Sequence, residues 1–405
     1  MAVQGTTAPG FEAVRAAFEH NFAERGEVGA GLAVYRHGQA VVDLWGGEAD
    51  PNTHRPWRAD TIAPIASACK VFSSAAVLVL VEQGRVDLEA PVARYWPEFA
   101  RHGKDAVTVR TLLSHQAGLP SMHMRPVTWE DLRDWTPITD ALAGAAPEWP
   151  PGTAHGYHGV TIGHLAGEIV RRVTGETLSE FLAKEVTGPL GLDCYVRVPD
   201  EALGRLAYMI VPDAETVRMG MQVPELADFV AAFNDPESLT YRCFYGSVVT
   251  DWDAANDPRT YQVESPSMDG VASARSLARF YAALIGEVDG VRLIDAELLD
   301  KVRTTQASGI DMVLKVETAW GIGFSVPGGP FWPGPSDSGV FGQSGATGAF
   351  GFADPGRGIA FGYVPNRGSE LLEGGDFRVR SLVDAVYAAL ADLGEGEGDR
   401  PAAGR

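Results

Sequence analysis

The sequence predicts an α+β protein in which an antiparallel sheet flanked by helices is joined to a mainly helical middle. Three observations predict it. Apolar residues alternate on both sides of His37-Gly38, an almost uniformly apolar stretch of helical length fills 66–83, and strand signals return only from Trp320 onward. Strands from both chain ends are therefore expected to share one sheet. Residues 1–62 and 265–393 would form a discontinuous α/β domain and residues 63–264 a mainly helical one.

The elements follow in order. From 29 to 47, Leu32 and Val34 precede the turn at His37-Gly38 and Val41, Val42 and Leu44 follow it, the pattern of a β-hairpin. The stretch 50–60 is turn-rich. The segment 66–83 is apolar almost all round and stops at Gly84, a natural helix C-cap, so it should be a central buried helix. Ile162, Leu165, Ala166, Ile169, Val170 and Val173 recur at three- and four-residue spacing before Thr174-Gly175, marking an amphipathic helix. The stretch 211–265 is rich in aromatics, Pro and Asp without clear period and reads as long loops with short elements. Strand signals follow at 320–326, 340–353 and 358–364, the last two joined by Asp354-Pro355-Gly356-Arg357. An amphipathic helix over 378–393 closes the fold, and the Gly-, Glu- and Pro-rich tail 394–405 has nothing to bury and is expected to be disordered. There is no internal repeat.

Composition narrows the function. The 405 residues are 45% hydrophobic and 21% charged, as in an ordinary globular enzyme. A formal charge of -20 would repel phosphate backbones and anionic lipid, so neither nucleic acid nor a membrane surface is an expected partner. Neither a basic-then-apolar leader nor a run of roughly 18 to 20 apolar residues is present, which reads as a cytoplasmic chain. Cys69, Cys194 and Cys243 are odd in number and widely spaced, so they suggest reduced, buried thiols rather than disulfides or a zinc cluster.

Lys70, Lys104, Lys184, Lys301 and Lys315 are the only lysines, which makes each one informative. Ser67-Ala68-Cys69-Lys70 opens the buried helix and puts a serine and a lysine one turn apart on the same face. A serine hydroxyl is barely ionised at neutral pH and needs a base, and a lysine in apolar surroundings can accept its proton. The tetrapeptide alone recurs by accident, and a helix cap beside a snorkelling lysine would give the same four letters.

Context carries the case. The turn-rich loop Trp149-Pro150-Pro151-Gly152-Thr153-Ala154-His155-Gly156-Tyr157-His158-Gly159 delivers one tyrosine just ahead of the amphipathic helix. Tyr157 and Lys70 would pass the Ser67 proton to a leaving group as a coupled pair. A packed tyrosine with a satisfied hydroxyl is the plainer alternative. Gly342-Gln343-Ser344-Gly345-Ala346 lies on a predicted strand whose small residues let a substrate rest against the backbone, with Gln343, Ser344, Gly345 and the loop residue His158 as candidate substrate contacts. The amides of Ser67 and Ala346 would form an oxyanion hole. Ser344 is not in a Gly-x-Ser-x-Gly elbow, because position 346 is alanine. His155 and His158 lack the carboxylate partners of a metal site, so no metal is expected. Trp149, Tyr241, Phe244, Tyr245 and Trp252 read as core, some of them lining an acyl pocket.

With these residues in place the chain resembles the serine β-lactamase and penicillin-binding superfamily over nearly its whole length, and most of all the family VIII carboxylesterases within it. Besides Ser67 to Lys70, the similar segments are Val41-Val42-Asp43-Leu44-Trp45-Gly46-Gly47, Leu112-Leu113-Ser114-His115-Gln116-Ala117-Gly118-Leu119, Gly156-Tyr157-His158, Pro189-Leu190-Gly191-Leu192 and Gly351-Phe352-Ala353-Asp354-Pro355. The resemblance implies a β-lactamase-like fold with the active site in the cleft between its two domains, and no metal or organic cofactor. It also exposes a departure: the third motif in this family begins with lysine or histidine, and here Gln343 stands there. A neutral amide cannot pair with a substrate carboxylate as a cation does, which favours neutral acyl substrates over β-lactams or D-peptides. The expected activity is hydrolysis of a small-molecule ester or thioester through an acyl-Ser67 intermediate. The alternatives are an acyltransferase that passes the acyl group to an alcohol or amine, and, further off, a β-lactamase, a D-peptidase or a catalytically silent binding homologue.

Overall fold

The computed structural model describes residues 2–122, 127–212, 222–244, 252–369 and 376–394. Tyr245, the side chain of Trp252 and the tail beyond Gly394 lie outside the described residues. The main sheet has seven strands: β1 (Gln4–Thr7), β2 (Gly29–Arg36), β3 (Gln39–Asp50), the short β4 (Arg55–Pro56), β10 (Phe341–Ser344), β11 (Phe350–Asp354) and β12 (Ile359–Pro365). Its order is β1-β3-β2-β12-β11-β10 with β4 beside β3, and every pairing is antiparallel. Both chain ends thus share one sheet, meeting where β2 pairs β12.

The hairpin turns at His37-Gly38, both with positive φ (47° and 78°), the backbone that a two-residue turn matching the strand twist requires. Both sheet faces are covered, so β2 and β12 read as continuous apolar runs rather than as alternation. On one face Leu32, Val34, Leu44, Phe352 and Phe361 pack on helices α1 (Glu12–Glu24) and α5 (Phe377–Asp392). On the other, Ala33, Tyr35 and Ala360 meet α4 (Ala274–Ile285), whose Phe280 packs in turn on Phe72 of α2 (Lys70–Glu82). A side chain buried in such a layer contributes about 1.5 to 3 kcal/mol. α4 lies unusually close to the strands. A Cβ on Gly362 would stand 2.5 Å from the Ala274 carbonyl oxygen, and one on Gly351 2.4 Å from the Tyr281 ring.

α2 is preceded by a 3₁₀ turn, Ala66–Cys69, and ends before Gly84 (φ 68°). Its side chains from Lys70 to Leu80 are all buried, as its uniform apolarity predicts. It packs against α3 (Ile162–Thr174), which ends on left-handed Gly175. A small sheet, β5 (Ala63–Pro64), β7 (Val271–Ala272) and β6 (Cys194–Tyr195), and a hairpin of β8 (Ala307–Ile310) and β9 (Glu317–Trp320) complete the strands among the described residues.

Three sequence expectations are corrected. The segment 340–353 is not one strand but β10 and β11, which pair with each other across the turn 345–349. The expected strand 320–326 ends at Trp320, because Gly321 and Gly323 (φ 79°) turn the chain so that Ser325 bridges back to Trp320 and to Gly342. Within 211–265, the described residues 222–244 are mostly helical (Ala227–Phe233 and Leu239–Phe244) rather than long loop. Trp149 is buried and Tyr241 and Phe244 are half-buried, Phe244 against the cluster around Phe229 and Tyr157.

Candidate active site

Ser67 sits in the 3₁₀ turn and Lys70 is the first residue of α2. Ala66, just before the serine, has φ 43°, a left-handed conformation that costs a non-glycine residue roughly 1 kcal/mol or more and holds the nucleophile turn off ordinary helical geometry. The Lys70 ammonium donates to Ser67 Oγ at 2.9 Å and to the Ser267 carbonyl at 2.6 Å. Both side chains are buried, at 7% and 3% exposure, so the contact is shielded from water.

The residues that hold this pair come from a loop, 265–270, that sequence reasoning did not single out. Cys69 Sγ meets the Pro266 carbonyl at 3.3 Å, the Ile65 amide donates to the Gly270 carbonyl, and the Gly163 amide of α3 donates to Ser267 Oγ at 2.8 Å. A Cβ on Gly270 would lie 2.1 Å from that of Cys69, so only glycine lets the loop close on the turn. Asp269 stands beside Lys70. Burial pushes its carboxyl up to about 7, against the opposing pull of a hydrogen bond from Ser265 and of the Lys70 charge. The only local signal was the turn chemistry of Ser265-Pro266-Ser267.

Tyr157 is fully buried, with its ring centroid 5.0 Å from Lys70 Nζ and stacked on Trp320 at 5.4 Å and 9°. The structure thus brings Tyr157 to the Ser67-Lys70 pair from more than eighty residues further along the chain. Ser344 ends β10, and Gly345 and Ala346 begin the turn after it. That turn abuts the nucleophile: a Cβ on Gly345 would lie 2.1 Å from the Ile65 carbonyl oxygen and 3.1 Å from the Ala68 amide. The Ala346 carbonyl is fixed by the Ser369 amide at 3.1 Å.

One site residue is placed differently from expectation. His158 does not offer its ring to a substrate: it is fully buried, its Nδ1 donates to the Gly156 carbonyl at 2.7 Å and its Nε2 accepts from the Leu119 amide at 2.9 Å. It is a strut of the Tyr157 loop. Burial lowers its pKa to about 4, so it is neutral at pH 7. Gln343 is 4% exposed; its Oε1 accepts from Ser325 Oγ at 2.8 Å and its Nε2 donates to the Ser344 carbonyl at 3.1 Å. The amide is held in place rather than extended, and with Trp320, Phe331 and Ser344 it lines a narrow cleft.

His115, from the Leu112–Leu119 segment, is a further residue the sequence did not assign a role. Its Nδ1 accepts from the His158 amide at 3.0 Å, and its ring lies 4.1 Å from that of Trp320. Burial, followed by the His158, Lys70 and His155 charges, holds its pKa well below the usual imidazole value. Both buried imidazoles are neutral at pH 7, and the accepting nitrogen of each is already taken by a backbone amide, His158 for His115 and Leu119 for His158. Among the described residues no group of three or more His, Cys, Asp or Glu side chains is placed to hold a metal, and no helix is long and apolar enough to cross a membrane.

A serine bonded to a lysine one turn away, under a tyrosine, at the edge of an antiparallel sheet, defines a β-lactamase-type serine enzyme. The chain belongs to the beta-lactamase family, whose match spans residues 14–384. It is 34% identical over 371 residues to the esterase/beta-lactamase LipL of Mycobacterium tuberculosis (strain ATCC 25618 / H37Rv), covering 90% of this chain and 83% of that one. Among solved structures, a family VIII carboxylesterase is 37% identical and superposes with a TM-score of 0.83 over 96% of this chain and all (100%) of its own. A penicillin-binding protein homolog from Caulobacter crescentus gives the same figures, 37%, 0.83, 96% and 100%.

Proposed function

We propose that this protein hydrolyses small carboxylic esters or thioesters through an acyl-Ser67 intermediate. It is a serine ester hydrolase of the beta-lactamase family, in keeping with the esterase relatives. The observation that carries the route is the buried 2.9 Å contact between Lys70 Nζ and Ser67 Oγ. When Lys70 is neutral that hydrogen bond reverses, and Nζ takes the hydroxyl proton as Oγ forms its bond to the acyl carbon. The amides of Ser67 and Ala346 receive the negative charge that develops on the carbonyl oxygen. As the bond to the leaving oxygen or sulfur breaks, the proton passes from Lys70 by way of the Tyr157 hydroxyl to the leaving group. Water then attacks the acyl-enzyme, gives its proton back along the same pair, and releases the acid and free Ser67.

Mass spectrometry of the intact protein mixed with p-nitrophenyl esters and acyl thioesters tests this reading. The expected result is a transient mass increase equal to the acyl group, mapped to the peptide bearing Ser67, that decays with water. Turnover with no adduct on Ser67, even after rapid acid quenching, would sink it. Decay accelerated by an added alcohol or amine, with the acylated acceptor as product, would instead mark an acyltransferase.

Gln343 supports neutral acyl substrates as the preferred class. A cation there would pair with a substrate carboxylate, and such a charge-assisted bond contributes on the order of 1.5 to 3 kcal/mol. Ser325 Oγ, now a donor to the amide oxygen, can rotate to accept from a lysine. Gln343→Lys is therefore expected to raise kcat/KM for nitrocefin relative to p-nitrophenyl butyrate by about tenfold. An unchanged ratio would show that this residue does not set the substrate class.

A further inference from the structure

Asp311 lies just after β8, more than 150 residues from Tyr157, and is fully buried. Its Oδ1 accepts from three backbone amides: Tyr157 at 2.9 Å, Val313 at 2.8 Å and Leu314 at 2.9 Å. Its Oδ2 accepts from the Thr318 hydroxyl at 3.1 Å. That hydroxyl also meets the Trp320 indole N–H at 3.1 Å and His155 Nε2 at 3.0 Å. Because its own hydrogen is given to Asp311, the Thr318 oxygen accepts from both, which fixes His155 as the Nε2–H tautomer. Trp320 in turn stacks on the Tyr157 ring.

We propose that Asp311 is the positioning residue for Tyr157, holding the tyrosine by its backbone amide and, through Thr318 and Trp320, by its ring. The inference rests on the proton-transfer role given to Tyr157 above. A buried carboxylate is costly unless its oxygens are satisfied, and here all four donors are neutral: the Tyr157 amide, two amides between β8 and β9, and a hydroxyl on β9. The amide bond sets where the Tyr157 Cα stands. The indole sets the plane of its ring. The two constraints issue from opposite oxygens of one carboxylate, so the phenol hydroxyl has little freedom to drift from the Ser67-Lys70 pair. A displacement of about 1 Å in a reacting group costs up to roughly a hundredfold in rate.

Asp311→Asn tests this. The asparagine oxygen can still accept from the three amides, but its NH₂ then points at a Thr318 oxygen that already accepts twice. The expected result is a fall in kcat of about tenfold or more with KM little changed. The decisive measurement is a double-mutant cycle with Tyr157→Phe, with Tm followed for all variants. Once the hydroxyl is gone its position no longer matters, so Asp311→Asn should cost nothing further in that background. The same fold-loss in both backgrounds would overturn the inference, since general loosening of the fold does not depend on the hydroxyl. Should Asp311→Asn fail to fold, Thr318→Val removes only the branch to the ring and is expected to show a several-fold kcat loss with the same dependence on the Tyr157 hydroxyl; equal loss in both backgrounds would again overturn it. With all variants read on ethyl butyrate, whose leaving alkoxide needs a proton, a crippled Tyr157→Phe beside an unaffected Asp311→Asn would sink this inference alone, whereas near-wild-type Tyr157→Phe on that ester would remove the catalytic reading beneath it as well.

Discussion

Ser67→Ala is expected to abolish ester turnover, with a loss in kcat on the order of a thousandfold or more, and to end covalent labelling while leaving the fold intact. The change removes one oxygen from a turn held by other groups. The Ile65 amide still donates to Gly270, Cys69 still meets Pro266, and Lys70 keeps its 2.6 Å bond to the Ser267 carbonyl. The methyl left behind fills nearly the same space, so the expected change in Tm is small. No substitute is at hand in Ser344, whose hydroxyl points to the Phe331 carbonyl at 3.4 Å. Steady-state kinetics on p-nitrophenyl butyrate, with intact mass after substrate mixing, reads both effects. Labelling of the alanine variant at normal stoichiometry would remove Ser67 as nucleophile.

What was legible in the sequence was whatever a local pattern encodes. The hairpin around His37-Gly38, the buried helix ending at Gly84 and the helix ending at Gly175 are each announced by period and a turn residue, and each is where expected. The break inside 340–353 was hidden because Gly345, Ala346, Thr347 and Gly348 turn the chain without Pro, Asn or Asp, in a run that otherwise reads as one strand. The helices within 227–244 were obscured by aromatics, whose packing around Phe229, Phe233 and Phe244 decides the structure more than propensity does. The site divides in the same way. Ser67 and Lys70 are one turn apart, so their meeting is local, and Tyr157 is flagged by the loop that carries it. Ser267, through its backbone carbonyl, and Asp311, through a carboxylate that accepts from a backbone amide, make contacts that close loops of 197 and 154 residues, and no local period signals such a partner. His158 shows the converse limit. Its place beside Tyr157 suggested the cleft, but a residue's neighbour does not tell which way its ring faces, and here the backbone of Gly156 and Leu119 claims both nitrogens.

On an alkyl ester, Tyr157→Phe and Lys70→Ala should each lower the rate by on the order of a hundredfold or more, the usual loss when general acid-base help is removed. The two variants carry different risks. Phenylalanine keeps the ring that stacks on Trp320 at 5.4 Å and faces His115 at 5.5 Å, so the packing of the loop survives and a rate loss isolates the hydroxyl. Lys70→Ala also strands the buried Ser267 carbonyl, which costs about 1 to 3 kcal/mol when left unpaired, so its Tm should fall alongside its kcat. The comparison therefore turns on the tyrosine. If Lys70 removes the Ser67 proton and Tyr157 relays it to the leaving group, Tyr157→Phe should hurt esters of poor leaving alcohols far more than p-nitrophenyl esters, whose phenolate departs without a proton. Lys70→Ala should hurt both alike, because every substrate needs the serine activated. Measuring kcat/KM, which reports acylation, for ethyl and p-nitrophenyl butyrate across pH 6 to 9 in each variant separates the two roles. Near-normal kcat/KM for the ethyl ester in Tyr157→Phe at every pH would mean that the proton reaches the leaving group without the phenol, and that Lys70 alone serves as both base and acid.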